Sequence, residues 1–119
     1  MKRSFVLYQL PALFWAAVIF FVSSLSQVPA PPKGFLAWDK VAHFGEFAIF
    51  GVLLVRAFRG RFVPALVVGM GWGALDEIHQ LFVVGRDSSV YDFAADAVGV
   101  IVAVGGFILL RKRRGKREP

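Results

Sequence analysis

Residues 76–96 read DEIHQLFVVGRDSSVYDFAAD. The stretch opens on two adjacent carboxylates, passes through a short Gly-Arg-Asp-Ser-Ser loop, and returns to carboxylates at Asp92 and Asp96. On either side lie long apolar runs, 62–75 before it and 97–110 after it. Two apolar helices joined by a polar loop, with acidic residues at both joined ends, is a membrane pattern. The placement of those acids decides both fold and function.

Outward from this stretch the same alternation continues. The chain has 119 residues, 57% hydrophobic by count, with a mean hydropathy of +0.63. A soluble domain of this size cannot bury so much apolar surface. A spanning helix needs about 20 apolar residues, which allows about four spans. The spans are expected at about 5–25, 38–58, 62–83 and 92–110, within a single domain covering 1–119. A basic tail covers 111–119. Pro64 falls in the first turn of its span, where proline is tolerated. The connector from Ser23 to Ala37 contains Pro29, Pro31, Pro32 and Gly34, and is not expected to be helical. A basic start before an apolar run also fits a signal peptide. The run is long for one, however, and no clear small-x-small cleavage site follows it. There is no cysteine, so disulfides and thiol catalysis are excluded.

The net charge is +6. The basic residues gather at the start, in the Arg56–Arg61 turn and in the tail, and with four spans all three lie on one side. Lys and Arg prefer the cytoplasmic side, so both termini are expected to be cytoplasmic. Trp38 and Tyr91 then fall near the outer interface and Tyr8 near the inner one. The polybasic tail is read as a topology anchor, and nucleic acid is not expected as a partner.

Seven of the eight acidic residues lie between Asp39 and Asp96. The topology places them, with both histidines, on the outer side. Asp39, Lys40, His43 and Glu46 begin the second span there. Asp76, Glu77, His79 and Gln80 end the third, and Asp92 and Asp96 begin the fourth. At about 100° per residue, Asp39, His43 and Glu46 fall within roughly 60° of arc. Gly69, Gly73, Asp76 and Gln80 share one face of the third helix. Asp92, Asp96, Gly99, Ala103 and Gly106 share one face of the fourth. Small residues let helices approach closely in lipid, so these faces are expected to pack inward. At 1.5 Å per residue, Glu46 and Asp76 each lie roughly 10 Å down from the outer ends of their helices. The expectation is a polar pocket, open outward and floored by Glu46, Asp76 and Asp96.

Ionisable groups inside apolar spans are unfavourable and mark functional sites by default. Asp76, Glu77, His43 and Glu46 are candidate acid/base or metal groups. Lys40, Gln80, Arg86 and Ser89 are candidate substrate contacts, with Arg86 suited to bidentate grip of an anion. Asp39, Asp92 and Asp96 are candidates to orient the others or to hold a metal. The competing readings are polar glue between helices, ion pairs from Lys40 and Arg86 that merely fix the loop, and helix capping by Ser89 or Asp92. Too few histidines and no cysteine are present for a strong zinc site. An oxygen-rich set suits Mg²⁺, Mn²⁺ or Ca²⁺ better.

These residues also resemble the VanZ-like family of small membrane proteins. Asp39-Lys40-x-x-His43-Phe44-x-Glu46-Phe47 is similar to its first block. The second runs from Asp76-Glu77-x-x-Gln80 through Gly85-Arg86 and Ser89 to Asp92, Asp96 and Gly99. The Phe-Val-Ser-Ser ending of the first helix resembles the family too, and the likeness extends from about Val18 to Gly106. In the family a Tyr often stands at the place of Phe47, a Pro at Val84 and an Asn at Asp96, and His79 fills a variable slot. A phenolic hydroxyl at Phe47 and a site role for His79 are therefore disfavoured. The family's namesake is linked to low-level teicoplanin resistance in bacteria. The resemblance implies a bacterial cell-envelope setting, a multi-pass protein of the cytoplasmic membrane, and no particular reaction. Resistance itself is not carried over.

Together these readings give an all-α, four-helix transmembrane bundle. Its leading function is a hydrolase or transferase acting on an anionic lipid or lipid-linked cell-envelope intermediate. The alternative is a non-catalytic module that binds an envelope lipid, a glycopeptide or a partner membrane protein. Ion or proton transport is weaker, because the inner halves of the spans lack ionisable residues to continue a path. The Gly69-x-x-x-Gly73 spacing is compatible with a homo-oligomer as well as with internal packing.

Overall fold

The structure is a computed structural model describing residues 2–25, 36–85 and 89–117, with residues 36–39 described by their backbone alone. Five helices follow in order: α1 (Arg3–Tyr8), α2 (Leu10–Ser23), α3 (Leu36–Ala57), α4 (Phe62–Gln80) and α5 (Val90–Gly115). The described residues contain no strand, so the all-α expectation holds. The Pro-rich connector from Ser26 to Phe35 lies outside the described residues, as do Arg86, Asp87 and Ser88.

The first expected span is two helices, divided at Gln9. Pro11 explains the interruption. It has no N–H to give to the carbonyl of Leu7, four residues back. That carbonyl instead accepts from Arg56 Nη2 at 3.2 Å. The chain still turns helically through the break, with Gln9 N donating to Phe5 O at 2.9 Å and Leu13 N to Gln9 O at 3.1 Å. At the other end of the chain, α5 runs five residues past the expected boundary at 110. Lys and Arg are good helix formers, and positive charge suits a helix C-terminus.

The turn between α3 and α4 ends α3 with a Schellman motif. Gly60 N donates to Val55 O at 2.9 Å and Arg59 N to Arg56 O at 3.1 Å. Arg59 takes the left-handed backbone conformation, with φ of 52°, and its guanidinium lies 4.7 Å from the centre of the Tyr8 ring.

α3, α4 and α5 pack against one another, while α2 rests on α3 and α4 and makes no close approach to α5 among the described residues. The arrangement is thus a three-helix core with α1 and α2 laid along it, rather than four equivalent helices. α3 and α5 run in the same direction and meet most closely at glycines. A Cβ on Gly99 would collide with the carbonyl oxygen of Phe44 and stand 2.9 Å from Ala48 N. A Cβ on Gly51 would stand 2.8 Å from the Cβ of Ala103. Phe47, Phe50, Ile19, Val100 and Val104 fill the space between helices. The expected inward face of α4 is buried at Gly69, Gly73, Asp76 and Gln80. On α5 the expected stripe is buried at Asp92, Asp96 and Gly99. Gly106 departs from it, exposed and with open space around it.

α5 is the single helix among the described residues that is long and apolar enough by itself to cross a membrane. Its 26 residues span about 39 Å. The sequence predicts four such spans. α2 has only 14 residues, and α3 and α4 carry ionisable groups within their lengths.

Candidate functional site

The two ends of the molecule differ in character. At one end the basic groups collect around the α3–α4 turn. Arg56 reaches Leu7 and Arg59 covers Tyr8. Arg111 lies over the Phe62 ring at 5.3 Å. Gln9 Nε2 donates to Ala57 O at 2.8 Å beside them. The other end gathers the acids. Among the described residues the buried polar side chains are Ser23, Asp76, Glu77, Gln80, Asp92 and Asp96, and every one belongs to this second end.

Helix spacing brings them together. Asp92 and Asp96 are one turn apart on α5, and Lys40 and His43 occupy nearly the same levels on the parallel α3. Lys40 Nζ pairs with Asp92. His43 Nδ1 hydrogen-bonds Asp96 Oδ1 at 2.8 Å. α4 comes up between them in the opposite direction. A Cβ on Gly73 would stand only 3.2 Å from Asp96 Cβ, so the glycine lets the acid into the helix contact. One turn further along α4, Gln80 Nε2 donates to Asp76 Oδ2 at 3.2 Å. Glu77 Oε2 accepts from the backbone N–H of Ser89 at 3.1 Å. One ligand atom each of His43, Glu77 and Asp96 lies within 4.8 Å of the others. Each comes from a different helix.

Two carboxylate oxygens stand out. Asp76 Oδ1 and Asp96 Oδ2 are buried without a hydrogen-bond partner among the described atoms. A buried polar atom left unsatisfied costs about 1–3 kcal/mol, and more when charged. Polar glue selected for stability alone would satisfy them. A cleft of about 230 Å³ between α4 and α5 reaches Glu77 and Ser89 from the surface, past Ile78, Val90 and Phe93.

The candidate residues therefore sort by position. His43, Asp76, Glu77, Gln80 and Asp96 converge, and Lys40 with Asp92 borders them. The convergent group of His43, Glu77 and Asp96 differs from the expected floor of Glu46, Asp76 and Asp96. Glu46 is half-buried, and its backbone carbonyl accepts the Trp15 indole N–H at 3.0 Å. Ser89 caps α5, its hydroxyl accepting from Tyr91 N at 3.1 Å, as the capping alternative holds. Arg86 and the side chain of Asp39 lie outside the described residues. His79 turns to the first helices instead. Its Nε2 is 2.8 Å from Ser24 Oγ, and its ring stacks on Phe20 with centroids 4.3 Å apart.

Sequence reasoning assigned no role to Ser23. Its side chain is buried beside the Asp76 carboxyl, so α2 closes the cluster from a fourth direction. Its position at the C-terminal end of the first apolar run was the available signal. Phe47, where the resembling family often has Tyr, is fully buried with its ring edge-on to Phe50. A second, larger cleft of about 790 Å³ runs between α1–α2 and the α3–α4 pair, from Phe5 and Gln9 to Trp72 and Phe20. Its walls are almost wholly apolar, and Phe20 links its upper end to His79 and the polar cluster.

The VanZ/LLP1 family model matches residues 3–111. The chain belongs to the VanZ/LLP1 family. No curated protein and no solved structure matches it. The match to this VanZ/LLP1 chain begins with α1 and ends within α5.

Proposed function

We propose that this VanZ/LLP1 protein is a multi-pass enzyme of the bacterial cytoplasmic membrane. It would act on the phosphate or ester of an anionic lipid or lipid-linked envelope intermediate, with both termini cytoplasmic and the polar pocket facing outward. The observation that carries the reading is the pair of buried, unsatisfied carboxylate oxygens, Asp76 Oδ1 and Asp96 Oδ2. Buried charge kept at a stability cost is the mark of a working site.

The surroundings support a lipid. Large apolar side chains are exposed on every helix from α1 to α5, among them Leu7, Phe14, Ile49, Val67 and Ile101. A water-soluble monomer rarely exposes so much, whereas lipid covers it. The basic and acidic ends lie apart, as the preference of Lys and Arg for the cytoplasmic side requires. The 790 Å³ apolar cleft suits a lipid tail, and the smaller cleft brings a headgroup to Glu77. Lys40 and Arg86 would hold the anion. Glu77 or His43 would take a proton from water as its oxygen attacks phosphorus or the ester carbon. The bond to the leaving oxygen breaks, and a second acid of the cluster, Asp76, returns a proton to that oxygen. Glu46, Gln80, Asp92 and Asp96 would orient these groups.

The test is direct. Full-length protein in nanodiscs is incubated with phosphatidic acid, phosphatidylglycerol and a polyprenyl diphosphate, and released phosphate, headgroup or alcohol is followed by mass spectrometry. Turnover of at least one lipid above the protein-free rate is expected. Saturable binding with no turnover of any would replace the enzyme with the binding module.

A further inference from the structure

We infer that His43, Glu77 and Asp96 form a divalent-cation site that ties α3, α4 and α5 together at the floor of the polar cluster. The proposal rests on the enzymatic reading and narrows it: with His43 and Glu77 on an ion, they act as ligands and Asp76 and Glu46 remain as the acid/base groups. It stands on three observations. One ligand atom from each residue lies within 4.8 Å of the other two. Asp96 is 1% exposed, and its Oδ2 is buried with no hydrogen-bond partner among the described atoms. Asp76, one turn from Gln80 on the same helix face, adds a second such oxygen, Oδ1.

Charge argues in the same direction. Asp76, Glu77 and Asp96 lie close enough to feel one another's charge, and His43 lies among them. Lys40 pairs with Asp92 at the edge. Buried carboxylates are paired or coordinate metals, and a divalent ion held by Glu77, Asp96 and the imidazole would have its charge balanced within the cluster.

The ligand chemistry narrows the ion. Ligation by one imidazole and two carboxylates excludes the soft, thiolate-seeking metals. Carboxylates suit Mg²⁺, Ca²⁺ and Mn²⁺, and the nitrogen favours Mn²⁺ over the other two. An ion about 2.1 Å from each ligand atom would hold those atoms no more than about 4.2 Å apart. Small side-chain rotations accomplish that, and the helices stay in place. A surrounding bond already orients one ligand, with the Ser89 N–H on Glu77. Ligand orientation of this kind typically accompanies metal sites.

Mn²⁺ titration of the purified full-length chain in detergent, read by the loss of the free-ion electron paramagnetic resonance signal, tests the site. One tightly held Mn²⁺ per chain is expected, with a modulation from a coordinated nitrogen in the spin-echo spectrum. His79→Gln should leave both unchanged, which assigns the nitrogen to the other histidine without disturbing the site. His43→Gln should abolish the nitrogen modulation. Glu77→Gln and Asp96→Asn should each weaken binding tenfold or more, with helix content by circular dichroism showing that they fold. The inference is overturned by wild-type protein that holds no stoichiometric Mn²⁺, by nitrogen modulation that His79→Gln removes, or by nitrogen modulation that persists in His43→Gln. A bound Mn²⁺ without lipid turnover would sink the enzymatic reading and leave the site. Turnover undiminished by chelator, in protein shown to hold no metal, would sink the site and leave the reading.

Discussion

Asp76→Asn and Glu77→Gln are expected to lower turnover of the anionic lipid substrate by about 100-fold or more each, the usual scale for removing a positioned acid or base. Both substitutions keep shape and remove a proton-exchanging carboxyl. Asp76 lies against Gln80, and Glu77 against the Ser89 N–H. An amide oxygen can still accept each of those bonds, so the bundle should fold. Asp76 Oδ1 is buried without a partner among the described atoms, so removing that carboxyl should leave stability unchanged or raise it. The joint result, a more stable and less active protein, is the signature of a site that sacrifices stability for function. Residual activity in a thermal-denaturation series, measured alongside lipid turnover, would check both halves. Variants that turn lipid over at the wild-type rate would return these residues to the role of helix–helix glue. So would loss of the fold.

Gly99→Ala is expected to destabilise the bundle by about 2–3 kcal/mol or more, near the upper end for overpacked positions. The added Cβ meets backbone on α3, at Phe44 O and Ala48 N. Backbone cannot rotate aside as a side chain can, so α3 and α5 must separate. The separation would also pull Lys40 from Asp92 and His43 from Asp96, because both pairs bridge the same two helices. Gly106→Ala is the matched control. It sits on the same helix with nothing within 4 Å, and alanine is the better helix former by up to about 1 kcal/mol. That variant should be neutral or slightly more stable. Unfolding in a denaturing detergent titration, followed by circular dichroism, separates the two. Equal stability of Gly99→Ala and wild type would contradict the close α3–α5 crossing.

Much of this was legible in the order of residues. Period alone placed Gly69, Gly73, Asp76 and Gln80 on one buried face, because small and polar residues repeating at three and four positions leave no other inward stripe on α4. The gathering of Lys40, His43, Asp92 and Asp96 followed from counting helix directions. The division of α1 from α2 was harder to see. Pro11 was visible, but Arg56, which takes up the carbonyl that Pro11 leaves, is 45 positions on. Glu77 was harder still. It lies about 100° around the helix from Asp76, and period alone sends only one of two neighbours inward. Both are buried because α4 is enclosed from several sides, by α2 and α3 and by the start of α5. Which carboxylate completes a site with His43 depends on the identity of the neighbouring helix, and that is a tertiary fact. The same holds for Ser23, whose partner on α4 is 53 positions away.

The proposed topology opens the pocket on the side of the membrane opposite the basic residues. Since the chain has no cysteine, single cysteines report sidedness without background. Ser88→Cys lies in the outer loop of the expected topology, and Lys116→Cys in the basic tail. With a membrane-impermeant maleimide on intact cells, Ser88→Cys should be labelled and Lys116→Cys should be labelled only after the cells are permeabilised. Labelling of Lys116→Cys in intact cells, with Ser88→Cys protected until permeabilisation, would place the pocket on the cytoplasmic side and contradict the account.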